Sequence, residues 1–412
     1  MRTGWIFKTE SIIMPAVIDW LGGTGLLRGF LPMLNRFGQS IPPLLLSRRI
    51  KLLGQKKWAL TICGLVMGLC FLGLSAIWLL AGGHTATWMS TAFLIGYAIF
   101  FMSTGVHQLT FSTLQGKLIP VRRRGRLMLV ANVLGALVAI TCAGILLRQW
   151  LRPENTNFMW IFAFSGICFV MSSLTAILLV EPRDAFRQET QGIAGIFKST
   201  VGILTTDAAF RRCSMVAALF GCSIMLMPHY QLLGRQTSPG YENHANDLSV
   251  LTLWVIVQNA GTALFSLLAG PLADRFGNRL VLRVLLLFPV LAPIVSLTLA
   301  YSDPMVQRFY PVVFLMVGPT PIVVRTLNNF TLELSAPADH PRYLGTLNLC
   351  VSAPVALSPF VGWLIDVFGF GVVFSGSSLI TLGCWLLTFH LSEPRSPPSE
   401  TGHKQETGID SG

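Results

Sequence analysis

Continuous apolar runs separated by short polar loops dominate the chain. The clearest run from Trp58 to Leu80, Leu127 to Leu147, Phe158 to Val180, Leu248 to Ala269, Leu280 to Ala300 and Gly371 to Phe389. Each is close to the roughly 20 residues a helix needs to cross a bilayer. A β-barrel strand would be about half that length and would alternate apolar with polar residues, so the runs predict helices. Between them lie Gly25 to Ser47, Trp88 to Ile119, Arg211 to Leu233, Phe309 to Leu332 and Tyr343 to Ile365. A shorter stretch, Gly4 to Ile18, carries Lys8 and Glu10. The pattern predicts an all-α polytopic membrane protein with eleven full spans and a partial first one. The short first stretch further predicts that the chain begins inside its first helix.

The expected organisation is a transmembrane bundle over residues 1–180, a cytoplasmic central loop over 181–210, a second bundle over 211–390 and a disordered polar tail over 391–412. Charge supports that order. Only 12% of the 412 residues are charged, against 52% hydrophobic, about half the charge of a typical soluble domain. The net charge of +12 is a topology signal here and not a nucleic-acid footprint, because lysine and arginine collect in loops that stay cytoplasmic. Twenty-one of the thirty basic residues fall on one set of alternating loops and the tail. Four, Arg148, Arg152, Arg235 and Arg308, fall on the other. The alternation holds along the whole chain, which supports the span count and places the central loop and C-terminus in the cytoplasm.

The loops after the second and eighth stretches are similar. The later one reads Gly270-Pro-Leu-Ala-Asp-Arg-Phe-Gly-Asn-Arg279, and the earlier one runs from Ser47 to Lys57. Both place a glycine, Gly277 or Gly54, two residues before a base, Arg279 or Lys56. The later loop resembles the Gly-x-Leu-x-Asp-Arg-x-Gly-Arg-Lys signature of the major facilitator superfamily, matching at Gly270, Leu272, Asp274, Arg275 and Gly277. Asn278 departs from it, and Arg279 takes its final basic position. The earlier copy is degenerate, with Ser47 for glycine and Lys51 for the acid. The resemblance implies two six-helix halves and secondary transport of a small solute by alternating access, with Gly270, Asp274, Arg275, Gly277 and Arg279 forming a gating loop. The alternative for that loop is a topology signal alone.

Polar residues within apolar spans are costly and tend to face a cavity or a partner. The substrate candidates are Arg36 in the second span, Asn132 in the fifth, Gln258 and Asn259 in the eighth, and Arg325, Asn328 and Asn329 in the tenth. Arg325, Asn328 and Asn329 share a helix face at i, i+3 and i+4. Helix–helix glue is the competing role for them. Arg28 is expected near the outer boundary, snorkelling to water. His107 is the candidate coupling residue, as the histidine deepest in a span. Glu10 falls in the doubtful first stretch, and Asp19 and Asp366 read as outer-loop residues, so a mid-membrane acid is not expected. A cavity lined by Arg36 and Arg325 favours anionic or neutral solutes. No GxxxxGK[ST], HExxH or GxSxG motif occurs and no cysteine–histidine cluster has metal-ligand spacing, so no ATP-driven pump, no enzyme, no cofactor and no metal site is expected. The expected setting is a bacterial inner membrane, as a monomer among lipids and without a nucleic-acid partner. A sensor or structural protein of the same fold is the alternative.

Overall fold

A computed structural model describes residues 1–81, 86–119, 121–151, 157–183, 202–237, 250–336 and 339–392. The described residues form helices and no strands. The N-terminal group comprises α1 (Arg2–Phe7), α2 (Ile13–Trp20), α3 (Gly25–Leu52), α4 (Lys57–Leu80), α5 (Thr87–Leu118), α6 (Val121–Trp150) and α7 (Phe158–Ile177). The C-terminal group comprises α8 (Ala208–Met225), α9 (Met227–Gln236), α10 (Val250–Phe276), α11 (Asn278–Ala300), α12 (Pro311–Val317), α13 (Thr320–Leu334), α14 (His340–Val355) and α15 (Ser358–Leu387). Among the described residues eight helical segments are long and apolar enough to cross a membrane. Most of the expected central loop and the tail from residue 393 lie outside the described residues.

Three expected spans are interrupted. The first breaks between α1 and α2, the seventh at Leu226 just before Pro228, and the tenth at Gly318–Pro319. Proline supplies the local reason at the last two, since it has no N–H to continue the ladder. α15 reverses direction at Gly369, whose φ of 78° is glycine territory. Asp366 accordingly meets Gly25, while Trp385 donates to the carbonyl of Arg283 at 2.9 Å at the opposite end.

The helix ends bearing the basic loops form one end of the molecule, the basic end. There, contacts hold within each group. In the N-terminal group Glu181 accepts from the Lys57 backbone N–H at 2.8 Å and from Lys117 Nζ at 2.9 Å. Lys57 Nζ donates to the last carbonyls of the sixth span, Ile177 at 3.3 Å and Leu179 at 3.0 Å. In the C-terminal group Arg279 donates to the Leu391 carbonyl at 2.9 Å and Asn278 to Glu333 at 2.9 Å. The two groups thus repeat one device: a base at the start of α4 or α11 donates to carbonyls at or just past the end of the last helix of its group.

At the far end the groups join each other. α3 packs along α15 through glycines. A Cβ on Gly25 would lie 2.2 Å from the Gly362 carbonyl oxygen, and one on Gly29 would lie 2.3 Å from that of Ser358. Small residues permit such backbone approach between membrane helices. The Gly25 N–H donates to Asp366 at 2.7 Å. Asp19 pairs with Arg28 in its own group and accepts from Gln231 at 2.6 Å across the seam, with Arg235 at 3.7 Å. Asp19 and Asp366 are therefore helix residues that hold the seam and not outer-loop residues, and Arg28, 7% exposed, pairs with Asp19 instead of snorkelling.

Two measurements follow from these ties. Burial alone would raise the Glu181 carboxyl, but the Lys56 and Lys57 N–H groups and the Lys117 ammonium outweigh it and hold it below the usual carboxylate value. A depressed folded value means stability that is present above the unfolded value and lost as pH falls through the folded one. Glu181→Gln is expected to lower unfolding stability in detergent by about 2 kcal/mol near neutral pH, with the gap to wild type closing below the ordinary carboxylate range. Gly25→Val is expected to force α3 from α15, raising hydrogen exchange of residues 25–30 and 358–366 about tenfold while residues 57–80 keep their protection.

Candidate functional site

The break in the first helix is built by its sequence. Pro15 removes the hydrogen bond to Ser11, four residues back, and its ring would crowd that carbonyl. α1 therefore stops at Phe7 and α2 starts at Ile13. Thr9 secures the gap, its hydroxyl donating to the Ile6 carbonyl at 2.6 Å and its carbonyl accepting from Ile13 N at 2.9 Å. Discontinuous helices at mid-membrane are where transporters commonly build binding sites.

Three polar side chains project from this gap. Lys8 is 1% exposed, and its ammonium meets Glu10 at 2.7 Å. Four rings surround it, with centroids at 3.9 Å for Phe101, 4.1 Å for Trp5, 4.8 Å for Phe100 and 5.7 Å for Tyr97. Aromatic faces attract cations, by about 2 kcal/mol or more when water is excluded, so the cage replaces part of the lost hydration. The other oxygen of Glu10 accepts from Asn35, whose own oxygen accepts from Gln39 one turn along α3. Ser11 donates to Gln258 of α10 at 2.6 Å, crossing to the C-terminal group. Further along α3, the Ser40 and Ser352 hydroxyls lie 2.7 Å apart beside a cavity of about 360 Å³ lined by Phe37, Ile41, Leu349 and Ala353.

Asn35 is ten residues into α3, about 15 Å from its far end, which is half of a hydrocarbon core of roughly 30 Å. Glu10 touches it. A carboxylate does lie at mid-depth, correcting the expectation that none would. The sequence signal was available: a short, interrupted apolar segment carrying charges is the pattern that precedes a discontinuous helix.

The expected site residues are distributed as follows. Arg36 is next to Asn35, feels the Glu10 charge, and has an Nε with no hydrogen-bond partner. Gln258 joins the network through Ser11. Asn259 instead donates to the Val255 carbonyl of its own helix at 2.8 Å. Arg325 is exposed on α13 and within electrostatic range of Arg2 on α1. Asn328 has a buried oxygen without a partner, and Asn329 is exposed. The Asn132 side chain lies outside the described residues. His107 is buried about 15 Å along α5 from Tyr97 and takes no part in the Glu10 network. His229 of α9 is also fully buried. The expected gating loop is mostly helix: Gly270, Asp274 and Arg275 lie in the last turns of α10, where Asp274 and Arg275 are exposed and Gly270 has open space beside it, and the chain turns at Gly277, whose φ is 82° as it opens α11. Arg279 alone of that loop's candidates reaches another helix end, at Leu391.

Residues 237–411 match the sequence profile described as Major Facilitator Superfamily. The whole chain shares its fold with solved transporters. A mutant of nucleoside transporter NupG superposes with a TM-score of 0.71 at 13% identity, covering 94% of this chain and 95% of the other. The C-terminal part of the chain is thus similar to the major facilitator superfamily in sequence, and the whole chain is similar to these transporters in fold. A D-xylose-proton symporter gives 0.68 at 13% identity over 96% and 97% of the two chains. A POT family transporter in complex with 5-aminolevulinic acid gives 0.68 at 12% over 95% and 93%. No curated protein matches this sequence.

The Lys8–Glu10 pair sets a test of the interior. Removing one partner of a buried pair leaves an uncompensated charge, whereas removing both can be nearly neutral. Glu10→Gln is expected to lower unfolding stability by about 3 kcal/mol. Lys8→Met with Glu10→Gln is expected to recover most of it, read by thermal unfolding in detergent.

Proposed function

We propose that this protein is a transporter of the major facilitator type that carries a small solute across the bacterial inner membrane by alternating access, with the basic end and C-terminus in the cytoplasm and a single chain as the working unit. The solute site is centred on Glu10, Asn35, Gln39 and Gln258, with Arg36, Arg325, Asn328 and Asn329 around it. The observation that carries this reading is the polar network at mid-depth on a broken helix, touching both groups of helices. Support for alternating access comes from the asymmetry of contacts. The far end is tied across the seam by Asp19 to Gln231 and by Gly25 to Asp366, whereas the ties described at the basic end run within each group. That is the arrangement of a site reached from the basic side. Asp274, Arg275 and Arg279 would form contacts there when the other face opens.

The test is solute flux into proteoliposomes. Saturable uptake of a radiolabelled solute is expected in wild type, falling about tenfold or more in Gln258→Ala, which severs the Ser11 link, and falling in Asp274→Asn with insertion unchanged. Binding without flux in correctly oriented vesicles would instead make the protein a sensor.

A further inference from the structure

α3 carries three stripes, because each residue turns about 100° around a helix axis. Gly25, Gly29, Arg36 and Ser40 share one of them. Gly25 and Gly29 meet α15, and Ser40 meets Ser352 of α14, so this stripe is the seam between the two groups of helices. Asn35 and Gln39, which join the Glu10 network, lie roughly 100–140° to one side of Ser40. Phe37 and Ile41, which line the cavity of about 360 Å³, lie roughly 60–100° to the other side. α14 shows the same order about Ser352, with Asn348 on one side and Leu349 and Ala353 on the other. α3 runs toward the basic end and α14 runs away from it, so the apolar sides of the two helices coincide. That side faces the bilayer: Ile41 and Ala353 are exposed, as is Leu45 one turn beyond Ile41. A polar network thus lies on the inner side of the seam and an apolar cavity on the membrane side.

The seam between them changes character with depth. In the outer half it is closed by backbone approach at Gly25 and Gly29. Ser40 is fifteen residues into α3, about 22 Å from the far end, and there the tie is a hydroxyl pair at 2.7 Å. The Ser352 hydroxyl gives its proton to the Asn348 carbonyl at 2.8 Å, so Ser40 is the donor of the pair. Such a bond is worth about 1 kcal/mol. One turn before Ser40 on the same stripe, Arg36 has a buried Nε with no hydrogen-bond partner.

We propose that the solute is an amphiphile with a single alkyl chain, which lies in the cavity between α3 and α14 while its polar head reaches the Glu10 network past Ser40. The inference rests on the transport reading and narrows it. The cavity is at the small end of ligand pockets, which run from about 300 to 1,000 Å³. That suits one short chain and not the paired chains of a phospholipid. Its continuity with the solute site argues the same way, since Phe37 and Ile41 alternate with Asn35, Arg36, Gln39 and Ser40 along two turns of one helix. A head at the seam meets the open donor of Arg36 and the two serine hydroxyls. Parting of the Ser40–Ser352 bond joins the cavity to the network, so the chain keeps apolar surroundings while the head moves inward.

The experiment uses full-length protein in phosphatidylcholine nanodiscs. It is photolabelled with octyl chains that carry a terminal diazirine and a glucoside, a carboxylate or a trimethylammonium head. The labelled peptides are identified by mass spectrometry. The expected result is label concentrated in residues 37–41 and 349–353 for at least one head. It should fall about tenfold in Ala353→Trp, as the loss of roughly two buried methylenes would make it, and stay unchanged in Leu379→Trp on the lipid face of α15, where Leu379 is 69% exposed. The same probe should show saturable uptake into proteoliposomes, reduced alike in Ala353→Trp. Label spread over all exposed apolar helices overturns the inference. Equal labelling of the cavity by a headless alkyl diazirine overturns it in favour of membrane lipid chains. Saturable uptake of xylose or uridine with no labelling of the cavity overturns it and leaves transport standing. Absence of labelling in the cavity and of saturable uptake for every solute overturns this inference and the transport reading together.

Discussion

One carboxylate organises the interior. Glu10 sits where hydrocarbon would make an isolated charge prohibitive, and the surrounding structure can be derived from that constraint. Its charge needs a cation, which Lys8 supplies two residues away. Two residues apart on a helix do not face each other, so the pair can close only where the helix is broken. The cation in turn needs a substitute for water, and Trp5, Phe100 and Phe101 provide aromatic faces on α1 and α5. The second carboxylate oxygen needs a donor, which fixes Asn35 and through it Gln39 on α3. Break, cage and amide pair are thus consequences of one ionised group at mid-depth.

The same broken segment links the two groups of helices. Ser11 reaches α10 from the gap, and Asp19 reaches α9 from the far end of α2. α9 is itself the outer piece of an interrupted helix, beginning after Leu226. Interrupted helices meeting across a seam can shift without breaking a continuous hydrogen-bond ladder, because the ladder already ends at the gap. The glycine contacts between α3 and α15 work differently. They depend on backbone approach, so they are either made or lost. Short polar links at mid-depth and an all-or-none contact at the far end form a hinge-like combination, suited to two discrete arrangements.

The sequence made the class of fold legible and hid the centre of the site, for one physical reason. Apolar run length is what a bilayer demands of a helix, so α4, α7 and α11 can be read directly. The broken segment violates that demand: the residues around Glu10 look like a failed span because they are polar and interrupted. Charge alternation located the basic end without any coordinates, and the glycine at position 277 meets a local backbone requirement, a positive φ. Asn259 illustrates the limit. Its position in the span predicts a cavity residue, but an asparagine inside a helix can turn to its own i−4 carbonyl, and sequence spacing alone does not say which it will choose. Asp19 and Asp366 were misplaced for a related reason. Charges near a span end read as solvated, whereas their partners Gln231, Arg235 and the Gly25 N–H lie more than two hundred residues away in sequence.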